Sequence, residues 1–92
     1  MQKGKYNMLG NFATSKAGHD KGQLYVIIGT EGDFVYLCDG RCKPLDNPKK
    51  KRRKHIQIIS ATVEEDLQKR LATGEAVRDE EIKNAIKKYV TN

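Results

Sequence analysis

Two short runs, Leu24-Tyr25-Val26-Ile27-Ile28 and Phe34-Val35-Tyr36-Leu37-Cys38, constrain the fold of this chain more than any other feature. Both are rich in β-branched and aromatic residues, whose bulk fits a pleated, half-buried surface. Between them lies Gly29-Thr30-Glu31-Gly32-Asp33, and glycine and aspartate accept turn backbone at low cost. The pair therefore reads as a β-hairpin. Asp39-Gly40 marks a second turn. It leads into Arg41-Cys42-Lys43-Pro44-Leu45, a strand that Pro44 confines to a sheet edge because proline donates no ladder hydrogen bond. Met8 to Thr14 reads as a first strand and Ile56-Gln57-Ile58 as a closing one. Several short strands at close spacing predict a small, strongly bent barrel.

The period changes after Ser60. Val63, Leu67 and Leu71 recur at four-residue spacing, with Glu64, Glu65 and Asp66 where a helix dipole favours anions. Thr73-Gly74 stops that helix. Asp79 reads as the N-cap of a second, in which Ile82, Ala85, Ile86, Tyr89 and Val90 form one apolar face and Lys87 and Lys88 fall in the last turn. That face is most simply packed within the domain; a docking surface for a partner is the competing reading. The expected architecture is mainly β with C-terminal helices: a five-stranded SH3-like barrel over residues 1–59, with a basic loop at 48–55, and a helical extension over 60–92. Ninety-two residues make one domain, with no room for a large core.

Charge narrows the function. The net charge is +6, and residues 1–58 hold 12 of the 18 Lys and Arg against 5 of the 12 acids. A one-sided positive field favours polyanions, above all nucleic acid. Anionic membrane is the weaker choice, because no aromatic or aliphatic anchor adjoins the basic segment. No apolar run is long enough to span a bilayer, and Met1 to Asn7 lacks the apolar centre of a secretion signal. Cys38 and Cys42 make no disulfide framework, which fits a reduced, cytoplasmic chain. Lys49-Lys50-Lys51-Arg52-Arg53-Lys54 places six cations in a row, followed by His55. Such a run repels itself and is expected to be poorly ordered without a counter-charge. A solvated charge run is the bland reading. Its position inside a small domain favours a phosphate-binding loop that orders on RNA.

Ser15-Lys16-Ala17-Gly18-His19-Asp20-Lys21-Gly22 is a polar loop with two lysines and two glycines, directly ahead of the Gln23–Ile28 strand pattern. Glycine lets backbone approach a partner closely, and lysine brings a mobile charge suited to phosphate. The run from Gly10 to Leu37 resembles a KOW motif, a glycine-centred loop between two strands, with Gly22 at the place of that family's characteristic glycine. The loop looks particularly like that of small bacterial KOW-domain RNA-binding proteins, which are similar to archaeal and eukaryotic large-subunit ribosomal proteins. Asp39-Gly40-Arg41, the basic block and the return to Ile56 fit the same family, so the resemblance covers roughly residues 8–60. It implies a five-stranded SH3-like barrel that binds RNA, often ribosomal RNA, through Lys16, Gly18, Lys21 and Gly22 and through Arg41 and Lys43. His19 stands where arginine is expected, which makes the loop's charge pH-dependent near neutrality, since an unperturbed histidine titrates at about 6.5. KOW domains also occur in transcription elongation factors that contact polymerase, so ribosomal proteins and RNA polymerase are both candidate partners.

Other chemistries fit less well. Cys38 and Cys42 are spaced C-x3-C with no second ligand pair, so no metal is expected and Cys38 reads as a small core hydrophobe. Ser15, His19 and Asp20 are the residue types of a hydrolase triad, but neighbours in one loop rarely align as nucleophile, base and orienter. No catalytic residue and no cofactor is expected. Phe34 and Tyr36 share strand parity; core packing is expected for Phe34, while Tyr25 fits either core or base stacking. With few aromatics, recognition is expected to rest on shape and phosphate more than on stacking. A DNA-groove reader would need a basic helix, and these helices are near neutral. The sequence thus points to a non-enzymatic, ribosome-associated RNA-binding protein, monomeric when free. Lys16, His19 and Lys21 are expected to face phosphates, and Lys49 to Lys54 to extend along an adjacent backbone and order on binding, with His55 among the RNA-binding residues. The alternative is a protein-interaction module of the transcription or translation machinery.

Overall fold

The computed structural model describes residues 8–91; residues 1–7 and 92, at the two ends of the expected segments, lie outside them. The hairpin forms where the two apolar runs place it. Strand β2 covers Leu24–Glu31 and β3 covers Phe34–Cys38, so the turn shortens to Gly32-Asp33. Pairing continues because β2 carries a register shift between Ile27 and Gly29, after which Gly29 faces Tyr36 and Glu31 faces Phe34. The first strand, β1, is Asn11–Ser15, and the last, β5, is Ile56–Thr62. Together with β4 (Lys49–Arg52) they form one antiparallel sheet in the order β4-β3-β2-β1-β5, with β4 and β5 at its edges.

Strand β4 corrects two expectations. Arg41 to Leu45 is not a strand, and the basic block is not wholly a loop: Lys49–Arg52 pairs with β3 in register Phe34–Arg52 to Leu37–Lys49. The Asp39 side chain explains the first. Its Oδ1 accepts from the N–H groups of both Arg41 and Lys43 at 2.9 Å, which curls the backbone that a strand would need extended. Alternation explains the second. A strand turns successive side chains to opposite faces, so like charges that are neighbours in sequence do not face one another, and each face supplies a counter-charge. A three-residue 3-10 turn, Arg53–His55, then joins β4 directly to β5.

Each face of the sheet buries its own cluster. Ala13, Tyr25, Ile27, Val35, Leu37 and Ile56 fill one. On the other, Phe12, Val26 and Cys38 meet Val63, Leu67 and Ile82, so helices α1 (Glu65–Thr73) and α2 (Asp79–Thr91) share a core with the sheet. Burial pushes the Cys38 thiol up to about 11, which leaves it a neutral packing group. Glu65 and Asp66 occupy the first turn of α1, and left-handed Gly74 closes it, as the sequence pattern predicts. Arg70 ties α1 to α2 through both carboxylate oxygens of Glu81. That fork holds the Glu81 carboxyl at about 2. Of the apolar face on α2, Ile82 is buried, Ala85 and Ile86 pack on the cluster, and Tyr89 stacks on Phe12 at 4.4 Å. Val90 stays 64% exposed. Among the described residues no helix is long and apolar enough to cross a membrane.

Helix α2 enters against the Asp39-Gly40 turn. Gly40 has φ +76°, and a Cβ there would lie 2.4 Å from the Asp79 carbonyl oxygen and 3.0 Å from the Lys83 nitrogen. Both are backbone atoms of a helix and have little freedom to retreat. Gly22 has a similar φ of +89°, but a Cβ there meets nothing within 4 Å. Gly40→Ala is therefore expected to cost about 3 kcal/mol or more, adding a clash to the left-handed strain. Gly22→Ala should cost about 1 kcal/mol, for the strain alone. Urea unfolding of the two variants measures the difference, and equal midpoints would contradict the close approach of α2.

Candidate nucleic-acid interface

The loop after β1 is fixed by backbone before any side chain acts. Ser15 N–H donates to Gln23 O (3.1 Å) and Gly22 N–H to Ser15 O (2.8 Å), which closes the loop's neck. Lys16 N–H donates to His55 O at 2.8 Å and ties the loop to the 3-10 turn. Gly18 and Gly22 both sit at φ +89°, the conformation that glycine adopts without the Cβ penalty.

Asp20 then folds inward as the loop's anchor. Its Oδ1 accepts from Lys51 Nζ at 2.9 Å, and Ser15 Oγ lies 2.9 Å from it as well. Its Oδ2 accepts from Tyr25 OH at 2.8 Å, with Lys49 Nζ 3.9 Å away. Lys51 also donates to Ala17 O at 2.9 Å. Burial pushes the Asp20 carboxyl up, but the Lys51, Tyr25 and Ser15 hydrogen bonds together outweigh it and hold the group well below the usual carboxylate range. Burial, and then the same Asp20 bond, push the Tyr25 phenol above its ordinary range. Tyr25 is thus a core residue, 2% exposed, whose hydroxyl serves the loop. The triad types do not assemble: Ser15 meets Asp20 directly, and His19 is exposed.

With its anchor inward, the loop turns Lys16, Gly18, His19, Lys21 and Gly22 outward, all exposed. The basic block divides. Lys51 is 11% exposed and committed to Asp20, and Lys49 lies beside the same carboxylate. Lys50 and Arg52 point to the opposite face, where Lys50 Nζ lies 4.6 Å from the Phe34 ring centroid and the Arg52 guanidinium 5.0 Å. Arg52, Arg53 and Lys54 meet Lys16 around an open cleft floored by Ile56, with Asp33 at its rim. This is where the two basic segments converge. His55 is half-buried in the 3-10 turn and contributes its carbonyl to Lys16. Arg41 lies apart, in a groove with Gln23, Lys83 and Lys87, and half-buried Lys43 closes the Asp39 turn.

Sequence reasoning missed Asp20 as the organiser and placed Phe34 in the core. Phe34 and Tyr36 belong to neither core cluster and are half-exposed. A signal for the first was present, since Asp20 is the sole acid in a loop of cations. The second depended on knowing that β4 would cover that side of β3 with Lys50 and Arg52. Compared with known proteins, the chain matches no family model and no curated relative.

Asp20 binds its proton less tightly in the folded chain than its unfolded value of about 3.9. Its stabilisation is therefore complete above that pH and is lost as pH falls below it. Asp20→Asn should lower stability by about 2 kcal/mol at pH 7, because it removes a charge-assisted bond and leaves Lys51 half-buried without its counter-charge. The gap to wild type should narrow steadily below about pH 4. Urea midpoints measured across pH test this, and a pH-independent gap would assign the effect to packing rather than charge.

Proposed function

We propose that the protein is a non-enzymatic RNA-binding protein of the KOW type, acting at the ribosome or on similarly structured RNA in the cytoplasm. The observation that carries this reading is the meeting of Lys16 with Arg52, Arg53 and Lys54 around one cleft. Four cations around an open cleft, with a single acid at the rim, suit closely spaced phosphates rather than a small neutral ligand. The strand order, with edge strands β4 and β5 joined by a three-residue 3-10 turn, supports an SH3-like barrel as the finer description. A loop pinned by Asp20 supports the rigid presentation of Lys16, His19 and Lys21 that KOW-type binding implies. RNA, with ribosomal RNA first among candidates, is the partner, and the free protein is a monomer. Arg41 and Lys43 stand outside the cleft and extend the contact only on an RNA large enough to reach the α2 side.

Each phosphate neutralised releases counterions, so affinity for single-stranded or looped RNA should fall with a log–log salt slope of about −0.7 per contact. Lys16→Ala, Arg53→Ala and Lys54→Ala combined should flatten that slope by about two units while the melting temperature holds. The same substitutions at Lys83 and Lys87, which lie on the α2 side, should leave it within about half a unit. A salt-independent interaction, or an unchanged slope in the cleft variant, would instead favour docking on a protein of the transcription or translation machinery.

A further inference from the structure

Pairing across the sheet builds two short rows on the face that also carries Cys38, at positions outside the helix-packed cluster. One is Gly29–Tyr36–Lys50 and the other is Glu31–Phe34–Arg52. Each row sets an aromatic ring on β3 with a cation on the edge strand β4. Neither ring is packed in a core cluster. What covers them is Lys50, 4.6 Å from the Phe34 centroid and 5.9 Å from that of Tyr36, and Arg52, 5.0 Å from Phe34. Lys50 is exposed and its Nζ lies 3.8 Å from Glu31, the carboxylate that also accepts from the Tyr36 hydroxyl, so it can leave a ring face without disturbing the backbone. Gly29 presents no side chain beside Tyr36, so that ring is not walled in from β2. Arg52 belongs to this surface and to the phosphate cleft at once.

The geometry points to a stacking site for an unpaired nucleobase on Phe34 and Tyr36, entered from the cleft along Arg52. The inference rests on the RNA reading above and narrows its substrate class to RNA that presents a looped-out or single-stranded nucleotide beside a folded segment. A nucleotide supplies both things the surface asks for: a flat polarisable face for the rings, and a phosphate to take up the cations that the base displaces. An apolar peptide would satisfy the rings but leave Arg52 with no new counter-charge and Lys50 with only Glu31, 3.8 Å away. A blunt duplex would satisfy the cations but offers no exposed base face.

The test compares a hairpin RNA carrying an unpaired purine loop with a blunt duplex of equal charge, at fixed salt. Wild-type protein should bind the hairpin about tenfold more tightly, the size of one stacked base. Phe34→Leu with Tyr36→Leu should abolish that preference and leave the salt slope intact, while Tyr36→Phe should retain it. Lys16→Ala with Arg53→Ala and Lys54→Ala should flatten the slope on both RNAs and preserve the preference. A second measurement needs no variant: 2-aminopurine placed in the loop should be quenched when wild-type protein binds. Equal affinity for the two RNAs, no quenching at any loop position, or an undiminished preference in the double Leu variant would overturn the stacking site while leaving phosphate binding standing. Failure of wild-type protein to bind either RNA would overturn the RNA reading itself.

Discussion

The ion pair between Lys51 and Asp20 joins parts of the chain that are distant in sequence, and most of the candidate interface is arranged around it. Exposed pairs of this kind contribute little, because water screens both charges and two long side chains lose freedom. Here the carboxylate also holds Tyr25 and Ser15, the ammonium also holds the Ala17 carbonyl, and the pair is 11% and 17% exposed. Each partner thus has several bonds to lose at once. The pair clamps the glycine loop to an edge strand that would otherwise be held on one side only, by β3. The loop draws on Lys51 of β4 for its inner contacts, and β4 draws on the loop's acid to offset Lys49 and Lys51.

Strand geometry turns that mutual dependence into a division of labour. Because side chains alternate, Lys49 and Lys51 turn toward Asp20 while Lys50 and Arg52 turn toward Phe34 and Tyr36. Half of the strand's positive charge is consumed in holding the fold, and the other half is displayed. The same alternation eases the self-repulsion expected of the run, since adjacent cations take opposite faces and Asp20 and Glu31 offset the pairs that share one. Arg53 and Lys54, beyond the strand, escape the alternation and reach the cleft with Lys16.

The sequence made the hairpin, both helices and the Gly74 stop legible, since each rests on local chemistry: β-branched bulk, a four-residue apolar period, a left-handed cap. It left β4 illegible. A strand of Lys-Lys-Lys-Arg has no propensity or apolar pattern to announce it, and only β3 on one side and Asp20 on the other make it a strand. The segment at Arg41 to Leu45 misled for the complementary reason. Its composition allows an edge strand, but the Asp39 carboxylate captures two backbone N–H groups that the ladder would have used. Likewise Lys16 and Lys21 could be read as outward cations from the loop alone. That Lys51 faces inward, and Phe34 faces out under a pair of cations, depended on pairings between residues far apart in the chain.

Rigid placement changes what the basic block contributes to a partner. A disordered cationic tail must lose backbone and side-chain freedom when it meets phosphate, and each ordered residue sets that cost against its Coulomb gain. Lys50 and Arg52 stand on a paired strand, and Lys16 on a loop whose neck is closed by backbone bonds, so only side-chain freedom remains to be lost. On the RNA-binding proposal, such a surface gains less by adapting to many shapes and more by matching one spacing of phosphates. The acid at the centre of the basic loop is therefore no compromise of its charge. By holding Lys51 inward, Asp20 lowers the number of cations available to a polyanion, and in exchange it fixes where the others stand.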